Sequence, residues 1–112
     1  MTIYKFGDVI LVPFPFTDQT TIKKRPAIVI SSDMYNQIHI DLIAMAITSQ
    51  LKSTLVLGEL VVNDWSAAGL LKPSIIKPVV MTVEKSLILR KLGELENSDR
   101  LESKKMLQSV FG

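Results

Sequence analysis

Apolar residues recur along this chain in short runs rather than in long helical stripes. Residues 9–12 and 27–31 are rich in β-branched and aliphatic side chains, and apolar residues alternate over residues 38–47. Short apolar runs bounded by polar or Pro-containing segments are typical of strands. The alternation in the third run places the following residues on one face: Ile38, Ile40, Leu42, Ala44 and Ala46.

Further strands are predicted at residues 55–62, 74–84 and 87–92. Pro78 lies inside the longest of these segments. Because proline cannot donate a backbone hydrogen bond, it predicts an edge position or a bulge at that point.

The segments between the strands carry turn residues. Pro13, Pro15 and Asp18 predict a loop that continues to the basic triplet at residues 23–25, after which Pro26 opens the second strand. Residues 32–36 have the composition of a turn, and Thr48, Ser49 and Gln50 end the third strand. Asn63 and Asp64 predict a short helical turn that Gly69 closes.

The C-terminal segment predicts one amphipathic helix. Ser98, Asp99 and Glu102 have the spacing of a helix start. Met106, Leu107, Val110 and Phe111 then fall on one side of the helical wheel. Five or six strands without intervening helices, followed by one helix, favour a mainly β, small antiparallel barrel over a parallel α/β sheet.

Composition limits the chemistry. A chain of 112 residues with 47% hydrophobic residues predicts a single domain over residues 1–112. It has no Cys and a single His, His39, so we expect neither disulfides, nor a thiolate or histidine metal site, nor a cofactor. It has no glycine-rich phosphate loop and no carboxylate cluster with metal-binding spacing.

The net charge of +2 is spread evenly, with five basic and four acidic residues in 1–57 and eight and seven in 58–112. Nucleic-acid binding would therefore need a local basic patch. The longest uncharged run, residues 42–51, is too short for a membrane helix, and the N-terminus does not have the pattern of a signal peptide. We expect a soluble cytoplasmic protein.

Two polar groups could bind a phosphate. The triplet at residues 23–25 is either a solvated charge run or a phosphate site, in which the guanidinium of Arg25 offers a planar fork of donors. Thr48 and Ser49 either satisfy a turn or donate to a phosphate. The phosphate interpretation requires a fold that brings them beside Arg25.

Aromatic residues and His39 are less specific. His39 alternates with Asp41 against the apolar face of its strand, which favours a surface histidine over a catalytic base. Trp65 is expected in the core. Phe14, Phe16 and Tyr35 could instead stack on bases of a single-stranded nucleic acid.

Five segments together resemble the PemK/MazF toxin family, in order and over nearly the whole chain. They are GDVILVPF at 7–14, KRPAIVIS at 24–31, AITSQ at 46–50, DWSAAGL at 64–70 and TVEKSLI at 82–88. The resemblance implies an SH3-like barrel of five to seven short, mostly antiparallel strands with a C-terminal helix. It also implies a bacterial type II toxin that acts as a homodimer, binds a cognate antitoxin protein and contacts operator DNA only together with that antitoxin.

The implied activity is metal-independent cleavage of single-stranded mRNA at a short sequence, by attack of the ribose 2′-OH on the adjacent phosphate. By position, Arg25 would stabilise the charged phosphorane or protonate the leaving oxygen, and Thr48 would hydrogen-bond the phosphate. Lys24, Ser49 and Gln50 would contact the RNA, and the segment Phe16, Thr17 and Asp18 would border it.

The chain departs from the family pattern at one point. Many relatives carry Asp or Glu followed by Gln shortly before the threonine that corresponds to Thr82, where this chain has Lys77, Pro78, Val79 and Val80. Either Asp18, Glu84 or His39 replaces the acid, or no residue deprotonates the 2′-OH. The alternatives are a catalytically impaired member that acts as an antitoxin-binding or nucleic-acid-binding regulatory module, and an unrelated SH3-like interaction domain.

Overall fold

The computed structural model describes residues 3–15 and 22–112. The elements follow in chain order, with a short 3-10 turn at Lys85–Leu87 before the last strand. The bounds are β1 Asp8–Pro15, β2 Ile22–Val29, α1 Asp33–Ile38, β3 Asp41–Thr48, β4 Leu60–Val62, β5 Ser74–Glu84, β6 Arg90–Glu94 and α2 Asn97–Phe111.

The six strands form one sheet in the order β4-β5-β3-β2-β1-β6, with antiparallel pairing throughout the described residues. The sheet curls into a half-barrel, and α2 packs near β4. The predicted fold class, mainly β with a C-terminal helix, is confirmed.

Both faces of the sheet bury apolar side chains, which explains why the apolar runs of β1 and β2 are nearly continuous. Full burial of each such side chain stabilises the fold by roughly 1.5–3 kcal/mol. One face carries Val9, Ile28, Met45 and Ile76 under Met106 of α2, and the other carries Ile10, Ala27, Val29, Leu42 and Ala44 with Tyr4.

The basic triplet lies inside β2 rather than in a loop, so the expected loop boundaries were wrong. Pro13 pairs with Lys24, and β1 continues to Pro15. β6 pairs with β1 only as far as Leu11, so both prolines lie where one side of β1 is unpaired. Prolines are tolerated there because no sheet hydrogen bond needs their missing N–H.

The turn expected at residues 32–36 is the helix α1. The Ser32 side chain caps it by accepting a hydrogen bond from the Tyr35 N–H at 3.1 Å. The third strand consequently begins at Asp41, and Ile38 and Ile40 lie outside it, with 72% and 77% of their surface exposed.

Two further strand predictions were displaced, and the one at 74–84 was confirmed at both ends. β4 begins at Leu60 rather than at residue 55, because Glu59 closes the preceding turn by accepting from the Val56 N–H at 3.0 Å. β6 begins at Arg90 rather than at residue 87, after the 3-10 turn. The strand predicted at 74–84 is β5, with a register shift near Pro78.

Helix α2 buries a partly different face from the predicted one. Met106 is buried and Leu107 is half-buried, but Val110 and Phe111 are 38% and 65% exposed. Asp99 is buried instead, and its carboxylate accepts hydrogen bonds from the Asn63 and Asp64 N–H groups at 3.1 and 2.8 Å.

That contact fixes the predicted turn at residues 63–69. Gly69 ends the turn with a φ of +87°, and a Cβ there would lie 2.1 Å from the Leu92 carbonyl oxygen. Glycine is therefore required by both conformation and space. Within the described part of the chain, none of the helices has the length and apolar character needed to cross a membrane.

Candidate active site

Arg25 and Thr48 meet at the end of the β2–β3 pair. Ala27 pairs with Ala46 and Val29 with Ala44, and the same register continued by two residues sets Arg25 opposite Thr48. Directly opposite residues share a face, with Cβ atoms ~4.5–5.5 Å apart. Both side chains are half-buried and line the same two cavities, so the fold brings together the two predicted catalytic residues.

The smaller cavity, of about 220 Å³, contains Arg25 and Thr48 together with residues of β3 and β5. We call it the Arg25–Thr48 pocket. Its remaining lining residues are Ala46, Ile47, Gln50, Lys77 and Val79.

The larger cavity, of about 390 Å³, adjoins it and also contains Arg25 and Thr48. Its walls combine apolar side chains with three further cations. The apolar residues include Leu11, Pro26, Leu70 and Leu92; the polar and basic residues include Lys24, Ser49, Lys72, Ser74 and Arg90.

The charge of these two cavities is uniformly positive. None of the described residues that line them is Asp, Glu or His. Clefts lined by one sign of charge concentrate ligands of the opposite sign. The arrangement therefore fits an anion, and the adjoining apolar walls can accommodate a flat or apolar group beside it.

The Thr48 hydroxyl is oriented by its own loop. The Gln50 N–H donates to Thr48 Oγ1 at 3.1 Å, so the hydroxyl oxygen already accepts one hydrogen bond. Its proton is then directed to another acceptor, such as a phosphate oxygen. Ser49 lines the larger cavity and Gln50 the smaller one, so both lie beside Thr48 as expected.

Three of the predicted RNA contacts, Phe16, Thr17 and Asp18, lie outside the described residues. Two of the residues considered as replacements for the family's acid, Glu84 and His39, lie far from the Arg25–Thr48 pocket of the same chain. Glu84 pairs with Asp41 at the start of β3, and His39 precedes that residue. Thr48 ends the same eight-residue strand, about 23 Å away at ~3.3 Å per residue.

His39 lies on the surface, as predicted. Its ring stacks on Tyr35 with centroids 3.9 Å apart. The Tyr35 hydroxyl donates to the Asp41 carboxylate at 2.8 Å, and this hydrogen bond raises the pKa of Tyr35 above its usual value. Trp65 packs against the core, as expected.

Sequence reasoning missed Lys72, Lys77 and Arg90 as site residues. They belong to loops and strands far from Arg25 in sequence, and only the sheet order brings them near it. The sequence did contain a signal for Lys77: it directly precedes Pro78, which predicted a bulge, and bulges often lie beside active sites. Within residues 3–15 and 22–112, no cluster of His, Asp and Glu has the geometry of a metal site.

Glu59 is a buried carboxylate that the positive charge of Lys77, a residue of the smaller cavity, affects. Its side chain is 3% exposed and forms an ion pair with Lys52 at 2.7 Å. The Lys52 hydrogen bond, the Val56 N–H and the positive charges of Lys52 and Lys77 hold the pKa of Glu59 below its usual value, against the opposing effect of burial. Glu59 is not among the residues that line either cavity.

Comparison with known proteins agrees with this architecture. An endoribonuclease in complex with its cognate antitoxin, from a mycobacterial species, has a similar structure, with a TM-score of 0.79, 15% identity, and coverage of 97% of this chain and 95% of that one. A MazE–MazF complex of Deinococcus radiodurans gives a TM-score of 0.76 at 20% identity, with coverage of 99% of this chain and 98% of that one. A MazF toxin of Mycobacterium tuberculosis gives a TM-score of 0.75 at 16% identity, with coverage of 93% of this chain and 95% of that one.

At these identities the structural likeness establishes the fold. No curated protein matches the chain. The family of PemK-like, MazF-like toxins of type II toxin–antitoxin systems, however, matches residues 5–111. The chain therefore belongs to that toxin family.

Proposed function

We propose that this protein is a metal-independent endoribonuclease that cleaves single-stranded mRNA at a short sequence. The observation that supports this most is that Arg25 and Thr48 line the same two cavities, together with further basic residues and no described acidic residue. Cleavage of a phosphodiester spreads negative charge over the phosphoryl oxygens, and preorganised donors aimed at them lower the barrier.

In the proposed step, the ribose 2′-oxygen forms a bond to phosphorus while the bond from phosphorus to the 5′-oxygen breaks. The products are a 2′,3′-cyclic phosphate and a 5′-hydroxyl. Arg25 donates to the charged non-bridging oxygens, and Thr48 donates one further hydrogen bond. The described lining residues include no carboxylate or imidazole. The 2′-OH therefore releases its proton either to Asp18, which lies outside the described residues, or to water, and the 5′-oxygen takes a proton from Arg25 or from water.

The larger cavity would hold the nucleotide next to the scissile phosphate. Its apolar residues Leu11, Pro26 and Leu70 can contact a base, while Lys24 and Arg90 face the backbone charge. Lys24, Ser49 and Gln50 are proposed to contact the RNA around the Arg25–Thr48 centre.

In the cell, the toxin would be inhibited by a cognate antitoxin protein. Two of the similar solved structures are complexes with such an antitoxin. We propose the same kind of partner for this chain, with a homodimer as the active form and operator DNA contacted only by the toxin–antitoxin complex.

The test is incubation of the purified protein with long single-stranded RNA in the presence and absence of EDTA. The proposal predicts equal cleavage in both, with fragments that carry 2′,3′-cyclic phosphate and 5′-hydroxyl ends. Activity that disappears with chelator and returns with Mg²⁺ would contradict the metal-independent mechanism.

One observation favours a second function. The cavity side chains include Lys77 where many relatives have an acid, and the alternative acids Glu84 and His39 lie at the far end of β3. A catalytically impaired member would bind antitoxin or nucleic acid as a regulatory module. Wild-type protein that binds its antitoxin but leaves RNA intact would favour this function over cleavage.

A further inference from the structure

The strand β5 makes an unusual bulge opposite Ala46. Met45 pairs with Val80, and Ile47 pairs with Ile76. One residue of β3, Ala46, therefore faces three residues of β5, namely 77–79. Bulges bend a strand and redirect side chains, and they occur often beside active sites.

Pro78 lies in the middle of this bulge. Because proline has no N–H to donate to the ladder, it is favoured at such a point. Its ring lies toward Gly58, where an added Cβ would be 3.1 Å from the Pro78 Cβ. Its two neighbours, Lys77 and Val79, both line the Arg25–Thr48 pocket, as does Ala46.

Three neighbouring strands thus contribute polar groups to one cavity: Arg25 from β2, Thr48 from β3 and Lys77 from β5. Lys77 is half-buried and is one of the residues that line the cavity. Glu59 lies near enough for the charge of Lys77 to affect it, but its carboxylate is bonded to Lys52 and to the Val56 N–H. Glu59 therefore does not supply a carboxylate to the cavity.

We propose that Lys77 is a phosphate-binding residue, whose ammonium contacts a non-bridging oxygen of the same RNA phosphate that Arg25 and Thr48 bind. This inference rests on the proposed function, because it names a further contact of the same site. A lysine at this position adds a compact, mobile point charge to the planar fork of Arg25. Two cations in one cavity, carried by strands on either side of β3, also favour a dianionic phosphorane over a singly charged phosphodiester.

The test separates binding from cleavage by using a single-stranded RNA of mixed sequence in which every 2′-OH is methylated. This probe keeps the phosphates but cannot be cleaved by 2′-oxygen attack. Its affinity is measured by fluorescence anisotropy at several salt concentrations for wild type, Lys77→Met, Lys77→Gln and Lys77→Arg. Lys105→Met is the matched control, since that lysine is 64% exposed on α2 and lines neither cavity.

Lys77→Met and Lys77→Gln should each weaken binding about tenfold at low salt, the effect of one charged hydrogen bond. The slope of log affinity against log salt should fall in magnitude by about 0.7, the value for one phosphate contact on a single strand. Lys77→Arg should keep most of the affinity and the slope. Lys105→Met should match the wild type, and the melting temperatures should show that all variants fold.

Unchanged affinity and salt slope in both Lys77→Met and Lys77→Gln would overturn the inference, even if the wild type cleaves RNA. If the wild type binds the methylated RNA through Lys77 but does not cleave unmodified RNA, the inference is supported and the proposed function is contradicted. A wild type that neither binds the methylated RNA nor cleaves the unmodified one would overturn both.

Discussion

Arg25 combines a charged side chain with a rigid position. It is half-buried within β2 and pairs with Val12 of β1, and the β2–β3 register continued by two residues sets it opposite Thr48. In the proposed function, a guanidinium carried on a paired strand needs little reorganisation when charge develops on the phosphate, which is the condition for strong electrostatic stabilisation.

Replacement of Arg25 by Ala should therefore lower RNA cleavage by a factor on the order of 10²–10³, the usual loss for one transition-state donor. Arg25→Lys should restore only part of the rate, because it keeps the charge and loses the bidentate fork. Thr48→Ala should lower the cleavage rate less than Arg25→Ala does, since a neutral hydroxyl is a weaker hydrogen-bond donor than a guanidinium. Cleavage rates of the three variants under identical conditions measure these effects.

The melting temperature of each variant is the control. Both side chains lie at the end of a strand pair and outside the two apolar clusters, so folding should change little. Wild-type activity in Arg25→Ala would show that this arginine is part of a solvated surface.

Residue type, strand ends and the family resemblance single out Arg25 and Thr48 in the sequence, but not their position in space. That both line one cavity depends on the pairing of β2 with β3, which local pattern does not specify. Lys77 was marked in the sequence by the adjacent Pro78 and by the departure from the family pattern. Its place in the same cavity follows from the three-residue bulge, which the sequence does not specify.

Strand β5 is the element whose position and irregularity the hydrophobic pattern of the sequence predicted. Its bounds, Ser74–Glu84, and the irregularity at Pro78 both follow from the sequence. The pattern failed at residues 32–40, where Ser32 caps a helix and two apolar side chains, Ile38 and Ile40, remain exposed. The hydrophobic pattern also failed at residues 23–25. These charged residues lie in a strand beside an open cavity, and a run of charged residues in the sequence is more typical of a loop.

The turn before β4 depends on one ionised carboxylate. The pKa of Glu59 is held below its usual value, mainly by the Lys52 hydrogen bond, so the folded state binds a proton less readily than the unfolded chain. This stabilisation is present above the unfolded pKa and is lost as the pH falls through the folded pKa.

Glu59→Gln should therefore lower the melting temperature near neutral pH, and the difference from wild type should shrink as the pH falls below about 4. Thermal denaturation between pH 3 and pH 7 measures it. Glu102→Gln is the control, because that carboxylate is half exposed and its 3.5 Å contact with Lys105 contributes little. A constant difference between wild type and Glu59→Gln across this range would contradict the assignment.

At the scale of the whole molecule, the single chain leaves large apolar side chains in contact with solvent. Leu57 and Leu71 are 73% and 93% exposed, and Val79 and Val80 on β5 are 44% and 47% exposed. Exposed apolar surface of this kind favours association.

We therefore expect a homodimer in solution. Sedimentation equilibrium at micromolar concentration should give about twice the 12.5 kDa mass of one chain. A single species with the mass of one chain would contradict this expectation.

We propose that Arg25 and Thr48 cleave RNA without a metal ion. The decisive experiment compares the cleavage of long single-stranded RNA by the wild type and by Arg25→Ala, both in EDTA, with the ends of the fragments identified by mass spectrometry. The wild type should give cyclic phosphate and 5′-hydroxyl ends, and the rate of the variant should be lower on the order of 10²–10³-fold. Equal rates in the two proteins, or cleavage that requires added Mg²⁺, would contradict the proposal.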